Sequence, residues 1–343
     1  MAKRRLGIIG SGSWASFWAR SLKQSQIAEL AAVAGGSRAP RYAEQFGLRL
    51  HGSPHELCDA DDIEAVIIAA HHDSHRDYAV MAARAGKHVL VEKPMAMTPR
   101  QCDDMIAAAS SAGVKLMVGH SRRYFPLVRL AKKMIDDGAI GRIRMLRQTF
   151  CWDVREIYKP GTNHWIASAD EGGGWFLGYG CHLLDATLFL MGTRVRTVAG
   201  QFHPYWTDAP TENAGSMFLV FENGAHSQLW SLCAAPPNVG QWPPFPDMPE
   251  EESCIVGDRG LMILRPYEYL KVRTDGGWET VQQLPKEEAD PVLTFLHQEA
   301  EDLLKAVDSN QEPTVTGEQG KHTVAAICAA YESSRTGMAV NLG

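Results

Sequence analysis

Residues 5–15 read Arg5-Leu6-Gly7-Ile8-Ile9-Gly10-Ser11-Gly12-Ser13-Trp14-Ala15, a short apolar run followed at once by small residues at three spaced positions. The apolar run suits a buried strand, and residues 15–22 continue with helical character. Strand, tight glycine turn and helix in immediate succession make this a Gly-x-Gly-x-x-Ala dinucleotide fingerprint in its required context. Gly10 permits the tight turn, Gly12 lets backbone N–H groups approach a pyrophosphate at the helix N-terminus, and Ala15 is small enough for the helix to pack on the sheet. Gly10, Ser11, Gly12, Ser13 and Trp14 are therefore candidate cofactor contacts.

Working outward, the same alternation continues. Strands are expected at 29–34, 65–70, 89–91 and 115–119, and helices at 40–45 and 74–85. Thr98 reads as an N-cap with Pro99 at the first helical position and Gln101 completing a capping box, so a further helix runs to about residue 112. Strands alternating with helices of this length argue for a doubly wound parallel sheet up to residue 121. One of its strands ends in Val91-Glu92-Lys93-Pro94. Ligands gather at the carboxyl ends of strands in such sheets, so Lys93 is delivered where a substrate would be met. Glu92 and Lys93 taken alone also read as ordinary charged residues at a strand edge; the fingerprint at the chain start tips the balance toward chemistry.

Beyond residue 121 the pattern changes. A helix is expected at 128–137 and a long strand at 142–152. A glycine run at 172–174 then precedes a helix through His182 and Asp185 to Met191. Closely spaced strands follow at 195–205, 216–221, 226–232, 252–256, 260–264 and 270–273. Short turns between strands imply a mostly antiparallel sheet. Helices at 291–307 and 317–336 finish the chain, and the prolines at 236–237 and 243–249 mark a long loop over a site or a partner. The expected division is a doubly wound α/β dinucleotide-binding domain at 1–121 and an α+β domain at 122–343.

The chain has 343 residues, 45% hydrophobic and 22% charged, enough for two domains each with its own core. A net charge of −6 and the lack of a basic run give no electrostatic footprint for nucleic acid. No apolar stretch approaches the roughly 20 residues that span a bilayer, and the basic start leads straight into the fingerprint strand rather than a secretory signal. The seven cysteines are scattered singly, which fits a reduced cytoplasm.

Several segments together resemble the Gfo/Idh/MocA family of nicotinamide-dependent oxidoreductases. They are the Gly10 fingerprint, Ala85-Gly-Lys-His-Val-Leu-Val-Glu-Lys-Pro94, Met117-Val-Gly-His-Ser-Arg-Arg-Tyr124, Gly138-Ala-Ile-Gly141, the glycine run before Gly180-Cys-His-Leu-Leu-Asp185, and Ala330-Tyr-Glu-Ser-Ser-Arg-Thr-Gly337. Six in the right order over nearly the whole chain are highly specific. The resemblance implies a Rossmann domain and a second domain on a large open, mostly antiparallel sheet whose outer face forms a homodimer or homotetramer interface. It also implies a cis Lys93-Pro94 bond, against a base rate of about 5–6% for Xaa-Pro bonds.

Carried over by position, the resemblance makes Lys93 and His182 the catalytic residues. Removing hydride from an alcohol carbon requires loss of the hydroxyl proton, so a base must stand beside the hydride path. His182 takes that proton while Lys93 holds the alkoxide, or the two exchange roles. Asp185, one helical turn later, either orients His182 or is a helix-face acid. Arg122, Tyr124, Trp152, His164, Trp165, Tyr179 and Asp185 are the candidate substrate contacts. Trp152 and Trp165 flank the segment before the glycine run and are better placed as a ring platform than Trp230 in mid-strand. Two departures stand out. Gly178 occupies the place of an aspartate usual four residues before the histidine, leaving Tyr179, His164 or a substrate group to supply its hydrogen bond. Ala70-His71-His72 replaces the usual Thr-Pro-Asn, while His75 matches a family histidine; Ala70, His71, His72, His75, Glu92 and Lys93 are expected at the cofactor.

The end of the second strand carries no acid to bind both ribose hydroxyls of NAD. Instead Ser37, Arg38 and Arg41 stand at the start of the next helix, where the dipole disfavours positive charge. A 2′-phosphate between the arginines explains them, so NADP is expected ahead of NAD; two solvated arginines are the bland alternative. A metal site at His71, His72, Asp73 and His75 is set aside because no Cys or Glu completes a ligand set. The expected activity is hydride transfer between a sugar or cyclic polyol and the nicotinamide of NADP. Alternatives are a dehydrogenase of an aromatic dihydrodiol or hemiacetal, a nicotinamide-dependent glycosidase, or a non-catalytic NADP sensor. The expected partner is a small molecule, a carbohydrate, with neither nucleic acid nor membrane involved.

Overall fold

A computed structural model describes residues 3–152, 154–158, 165–205, 210–233, 251–285 and 291–343, with the side chains at 155–156 and 291–294 also left aside. The polypeptide forms two units, Met1–Ser121 with Ala289–His322, and Arg122–Glu288 with Thr323–Gly343. Among the described residues no helix is long and apolar enough to cross a membrane.

The first unit is built in the order β1 (Arg4–Ile9), α1 (Ser13–Leu22), β2 (Ala28–Ala34), α2 (Ala39–Phe46), β3 (Arg49–Leu50), α3 (Pro54–Cys58), β4 (Ala65–Ile68), α4 (His75–Arg84), β5 (His88–Glu92), α5 (Pro99–Ala112) and β6 (Leu116–Gly119). The strands lie in the order β3-β2-β1-β4-β5-β6, and all the pairings are parallel. Strand order reverses between β1 and β4, the switch point where an open α/β sheet takes its ligand. β4 is apolar and buried along its whole length, as expected of an inner strand with helices on both faces. Thr98 and Gln101 form the expected capping box on α5. Two elements escape the sequence reading. β3 is a two-residue exposed edge, too short to show a pattern. α3 carries its own signal, Ser53 capping the Glu56 N–H with Pro54 at the first position, but a five-residue helix has no periodicity to read.

The second unit contains α6 (Pro126–Asp136), β7 (Ile143–Cys151), α7 (Cys181–Met191), β8 (Val195–His203), β9 (Ala214–Phe221), β10 (His226–Leu232), β11 (Glu251–Gly257), β12 (Leu261–Arg265), β13 (Tyr269–Thr274) and β14 (Gly277–Gln283). The chain ends in α8 (Pro291–Ser309), α9 (Gly317–Thr336) and β15 (Val340–Asn341). The nine strands form one sheet, β14-β13-β12-β11-β7-β10-β9-β8-β15, antiparallel except for β7 beside β10. β14 was not legible in the sequence because it is polar and exposed almost throughout, without an alternating apolar face. α7 is buried on every side, an apolar rod against the inner face of the sheet. On the outer face Met145 and Phe218 are exposed among charged and polar neighbours.

The expected second domain of 122–343 omits one feature. Residues 289–322 belong with the first unit, where α8 packs on α1. Buried Leu296, Ala300, Leu303 and Leu304 supply the apolar face of that contact, and the His297 N–H donates to Ser21 Oγ at 2.9 Å. Sequence distance hides this return, since an amphipathic helix does not announce which sheet it covers. The proline-rich stretches at 236–237 and 243–249 lie outside the described residues.

Candidate active site

In the first unit the fingerprint loop leaves β1 through Gly10, whose φ of +118° is left-handed. A Cβ there would stand 2.2 Å from the Ala69 carbonyl oxygen, so glycine is required both by the turn and by the approach of the chain after β4. Gly12 differs. Its φ of −76° is open to any residue, and the one protein atom within 4 Å of an added Cβ is Arg38 Nη2 at 3.8 Å. No protein contact demands a glycine at 12, whereas a pyrophosphate against the N-terminus of α1 does; the loop fits the nucleotide. Ser11 is turned inward, its hydroxyl donating to the Gly35 carbonyl at 3.1 Å and tying this loop to the one after β2. Ser13 is exposed and Trp14 half-buried. Ser37, Arg38 and Arg41 are exposed at the start of α2, whose first turn contains no acid. Among the described residues neither arginine forms an ion pair with the protein.

At the end of β5 the Lys93–Pro94 peptide is cis. The half-buried Lys93 sets its ammonium 6.0 Å from the Trp14 ring centroid, within cation–π reach. Glu92, expected at the cofactor, is instead buried and accepts a hydrogen bond from Trp18 Nε1 at 2.6 Å. Successive strand side chains point to opposite faces, so Lys93 and Glu92 part company. Burial pushes the Glu92 carboxyl up, against the opposing pull of Lys93 and the two indoles.

His75 is wholly buried and links two loops, Nδ1 lying 2.9 Å from the Pro94 carbonyl and Nε2 3.2 Å from the Ala70 carbonyl. Its imidazole thus braces the cis-proline segment rather than facing a ligand. His72 packs edge-on against it and is also buried, while His71 is exposed. His71 precedes a short 3₁₀ turn and His75 opens α4, so the two do not share a helix face. Among the described residues no group of three or more His, Cys, Asp or Glu side chains is arranged to hold a metal ion.

Burial lowers the His75 pKa from 6.5 to about 4. The unfolded chain takes up this proton below pH 6.5 but the native state resists until about 4, so stability conferred by the neutral ring is lost as pH falls through that window. The loss approaches about 1.4 kcal/mol per pH unit. Urea unfolding at pH 7 and 5 should show a steeper loss for the wild type than for His75→Gln; equal slopes would contradict this account.

In the second unit His182 lies near the start of α7 and is buried. The preceding turn, Phe176–Gly180, is π-helical and carries Gly178 and Tyr179. An aromatic group surrounds Tyr179. Trp175 stacks on it at 4.6 Å between centroids, Trp165 lies nearly parallel at 6.4 Å, and Trp152 meets it edge-on at 5.6 Å. Trp175 is buried, with Nε1 donating to Ser231 Oγ at 2.6 Å, whereas Trp152 is 40% exposed and is the ring available to a ligand. Trp230 packs beside Cys151 and Leu232. His164 lies outside the described residues.

Three expected substrate contacts are committed to the protein interior. Asp185 receives Arg123 Nε at 2.8 Å and Nη2 at 2.7 Å, a bidentate pair with both members buried. Arg122 pairs with buried Glu251 at 2.7 Å and lies over the Phe125 and Phe150 rings. Tyr124 is buried beneath the Arg129 guanidinium. The Asp185 and Arg122 pairs tie α7 and β11 to the segment 121–124. Sequence reasoning passed over Arg123, which the Ser-Arg-Arg-Tyr motif contains beside Arg122. It also passed over Trp18, Tyr331 and Glu212. Tyr331 falls in a quoted motif, but Glu212 has no local signal.

Two family models match this chain: the oxidoreductase family with NAD-binding Rossmann fold over residues 4–120, and the GFO/IDH/MocA C-terminal domain over residues 128–262. The chain is similar to 1-carboxy-3-chloro-3,4-dihydroxycyclo hexa-1,5-diene dehydrogenase of Comamonas testosteroni, 33% identical over 66% of this chain and 57% of that protein. The chain thus spans little more than half the length of that relative. It is also similar to myo-inositol 2-dehydrogenase of Thermotoga maritima, 26% identical over 98% of both proteins. The structure of an aldose-aldose oxidoreductase from Caulobacter crescentus complexed with glycerol superposes with a TM-score of 0.84, at 25% identity over 99% of this chain and 100% of that one.

Proposed function

The chain belongs to the Gfo/Idh/MocA oxidoreductase family, and from that premise we propose that it is an NADP-dependent dehydrogenase or reductase of a ring alcohol. The observation that carries the reading is the fingerprint loop, where Gly12 keeps a space that no protein atom needs and Arg38 borders it. The loop N–H groups at Gly12, Ser13 and Trp14 would hold the pyrophosphate, and Arg38 and Arg41 the 2′-phosphate. A bound nicotinamide supplies the hydride acceptor or donor. Lys93 Nζ holds the reacting oxygen by charge and hydrogen bond, and the His182 imidazole exchanges its proton. Gly178 contributes no carboxylate to this set, so these two groups carry the proton handling. Trp152, beside Tyr179 and Trp165, offers an aromatic face to a ring substrate.

A sugar or inositol ring is the first substrate class. The names of the two curated relatives cover a myo-inositol and a dihydroxylated cyclohexadiene, both six-membered rings bearing hydroxyls. The aromatic surroundings of Tyr179 favour the second of these as the alternative. NADPH formation with a panel of sugars, inositols and dihydroxylated aromatics tests the reading and ranks the two classes. No formation with any ring alcohol in either direction would count against it.

For the cofactor, Arg38→Ala should raise the NADP dissociation constant about tenfold or more, a loss of about 1.4 kcal/mol. Affinity for NAD should change little. Titration of indole fluorescence with each nucleotide measures both constants, and an unchanged ratio would return Arg38 to a solvated surface role.

A further inference from the structure

The helix that delivers His182 has no cap of its own. The residues before it, Gly172, Gly173 and Gly174, carry no side chain to receive its first N–H groups. Those groups are met from far along the chain. Trp175 N–H donates to the Glu212 carbonyl at 3.1 Å, Phe176 N–H to Glu212 Oε1 at 2.7 Å, and Leu177 N–H to the Tyr331 hydroxyl at 3.1 Å. The Tyr331 hydroxyl in turn donates to Glu212 Oε1 at 2.7 Å. One carboxylate and one phenol thus close the start of the π-helical turn. Gly174 is explained by the same group. A Cβ there would lie 2.5 Å from Glu212 Oε2, and the φ of +105° also requires glycine.

We propose that Glu212 is a positioning residue, which fixes the π-helical turn bearing Tyr179 and thereby sets the orientation of His182. A negative carboxyl group at a helix N-terminus is held by both the exposed N–H groups and the dipole. A π turn is a rare conformation that holds one extra residue, and it persists where its surroundings determine it. His182 lies six residues beyond Phe176 on this continuous helical stretch, with the rest of α7 buried behind it. A shift at the anchored end is therefore passed to the imidazole. Burial pushes the Glu212 carboxyl up to about 7, so its charge changes in the neutral range. The titratable groups facing it are the Tyr331 and Tyr158 phenols, both raised by burial and neutral in that range.

The inference deepens the reading of His182 as a proton-handling group and rests on it for its effect on turnover. The test uses the full-length protein with Glu212→Gln and Tyr331→Phe. The His182 ring resonances, assigned with His182→Asn, are followed by NMR against pH without substrate. In parallel, kcat and KM are measured against pH with NADP and a ring alcohol. Glu212→Gln should shift the His182 resonances and their titration, lower kcat about tenfold with the KM for NADP unchanged, and remove an ionisation near pH 7 from the kcat/KM profile. Tyr331→Phe should move the same readouts in the same direction by a smaller amount, and decides the matter if the Glu212 variant does not fold. A His182 titration identical to wild type in a folded variant would overturn the proposal. If wild type turns over no ring alcohol while the resonances still shift, the positioning role stands and the proton-handling reading fails.

Discussion

Lys93→Ala should lower turnover by about 10²–10⁴-fold while NADP binding changes by no more than about threefold. The asymmetry follows from where the ammonium stands. Lys93 follows β5 at its carboxyl end and is half-buried, with its ammonium within cation–π reach of the Trp14 ring. On the proposed reading the nucleotide is held by other groups, the loop N–H donors at the start of α1 and the arginines at the start of α2. On that reading, losing Lys93 removes the positive hydrogen-bond donor to the reacting oxygen, an interaction that strengthens as that oxygen gains charge. Such a contact weighs on kcat more than on binding. Lys93→Arg should recover little, because a planar guanidinium does not reproduce a compact ammonium. Single-turnover kinetics with the best alcohol, together with fluorescence titration of NADP, separates the two effects. Near wild-type turnover in the alanine variant would remove Lys93 from the chemistry.

Asp185→Ala should cost about 3–5 kcal/mol of stability, the largest structural effect expected of a single substitution here. The resemblance left Asp185 either orienting His182 or serving as a helix-face acid. The structure gives both of its oxygens to Arg123, in a pair with neither member exposed. Removing the carboxylate leaves the guanidinium buried without its ionic partner, and the Phe189 face at 5.3 Å does not replace that charge. The discriminating measurement is a double-mutant cycle in urea. Replacing the pair together, Asp185→Leu with Arg123→Met, should recover most of the loss, since a hydrophobic pair of similar volume removes both desolvation penalties. If Asp185→Ala instead unfolds within about 0.5 kcal/mol of wild type and alters only the pH dependence of turnover, the orienting role would be the correct one.

The difference between readable and unreadable features is physical. Gly10, Thr98 with Gln101, and the alternation of apolar runs were legible because each answers a local demand: a left-handed φ, a helix start, a strand face. The element order and the parallel sheet followed from them. Glu92, Arg122, Tyr124 and Asp185, expected at a ligand, are buried in the structure. Each lies in or beside a segment bearing functional motifs, and the sequence does not tell whether a polar side chain meets a ligand or a buried partner. Glu251 lies about 130 residues from Arg122 and Asp185 62 residues from Arg123, far beyond any local pattern. The π-helical turn was likewise hidden, for a glycine-rich stretch before a helix looks the same whether its cap is local or distant.

By itself the sequence determined the Rossmann half of this protein, the nucleotide loop within it, and the mostly antiparallel second sheet. These rest on conformational preferences within a few residues of one another, which the chain carries wherever it goes. Only the tertiary structure decided that residues 289–322 return to the first unit, that Gly12 keeps a space no protein atom fills, that Asp185 belongs to Arg123, and that Glu212 caps the helix bearing His182. Each of these depends on which buried polar group finds which partner, and that pairing exists only once distant segments are packed together.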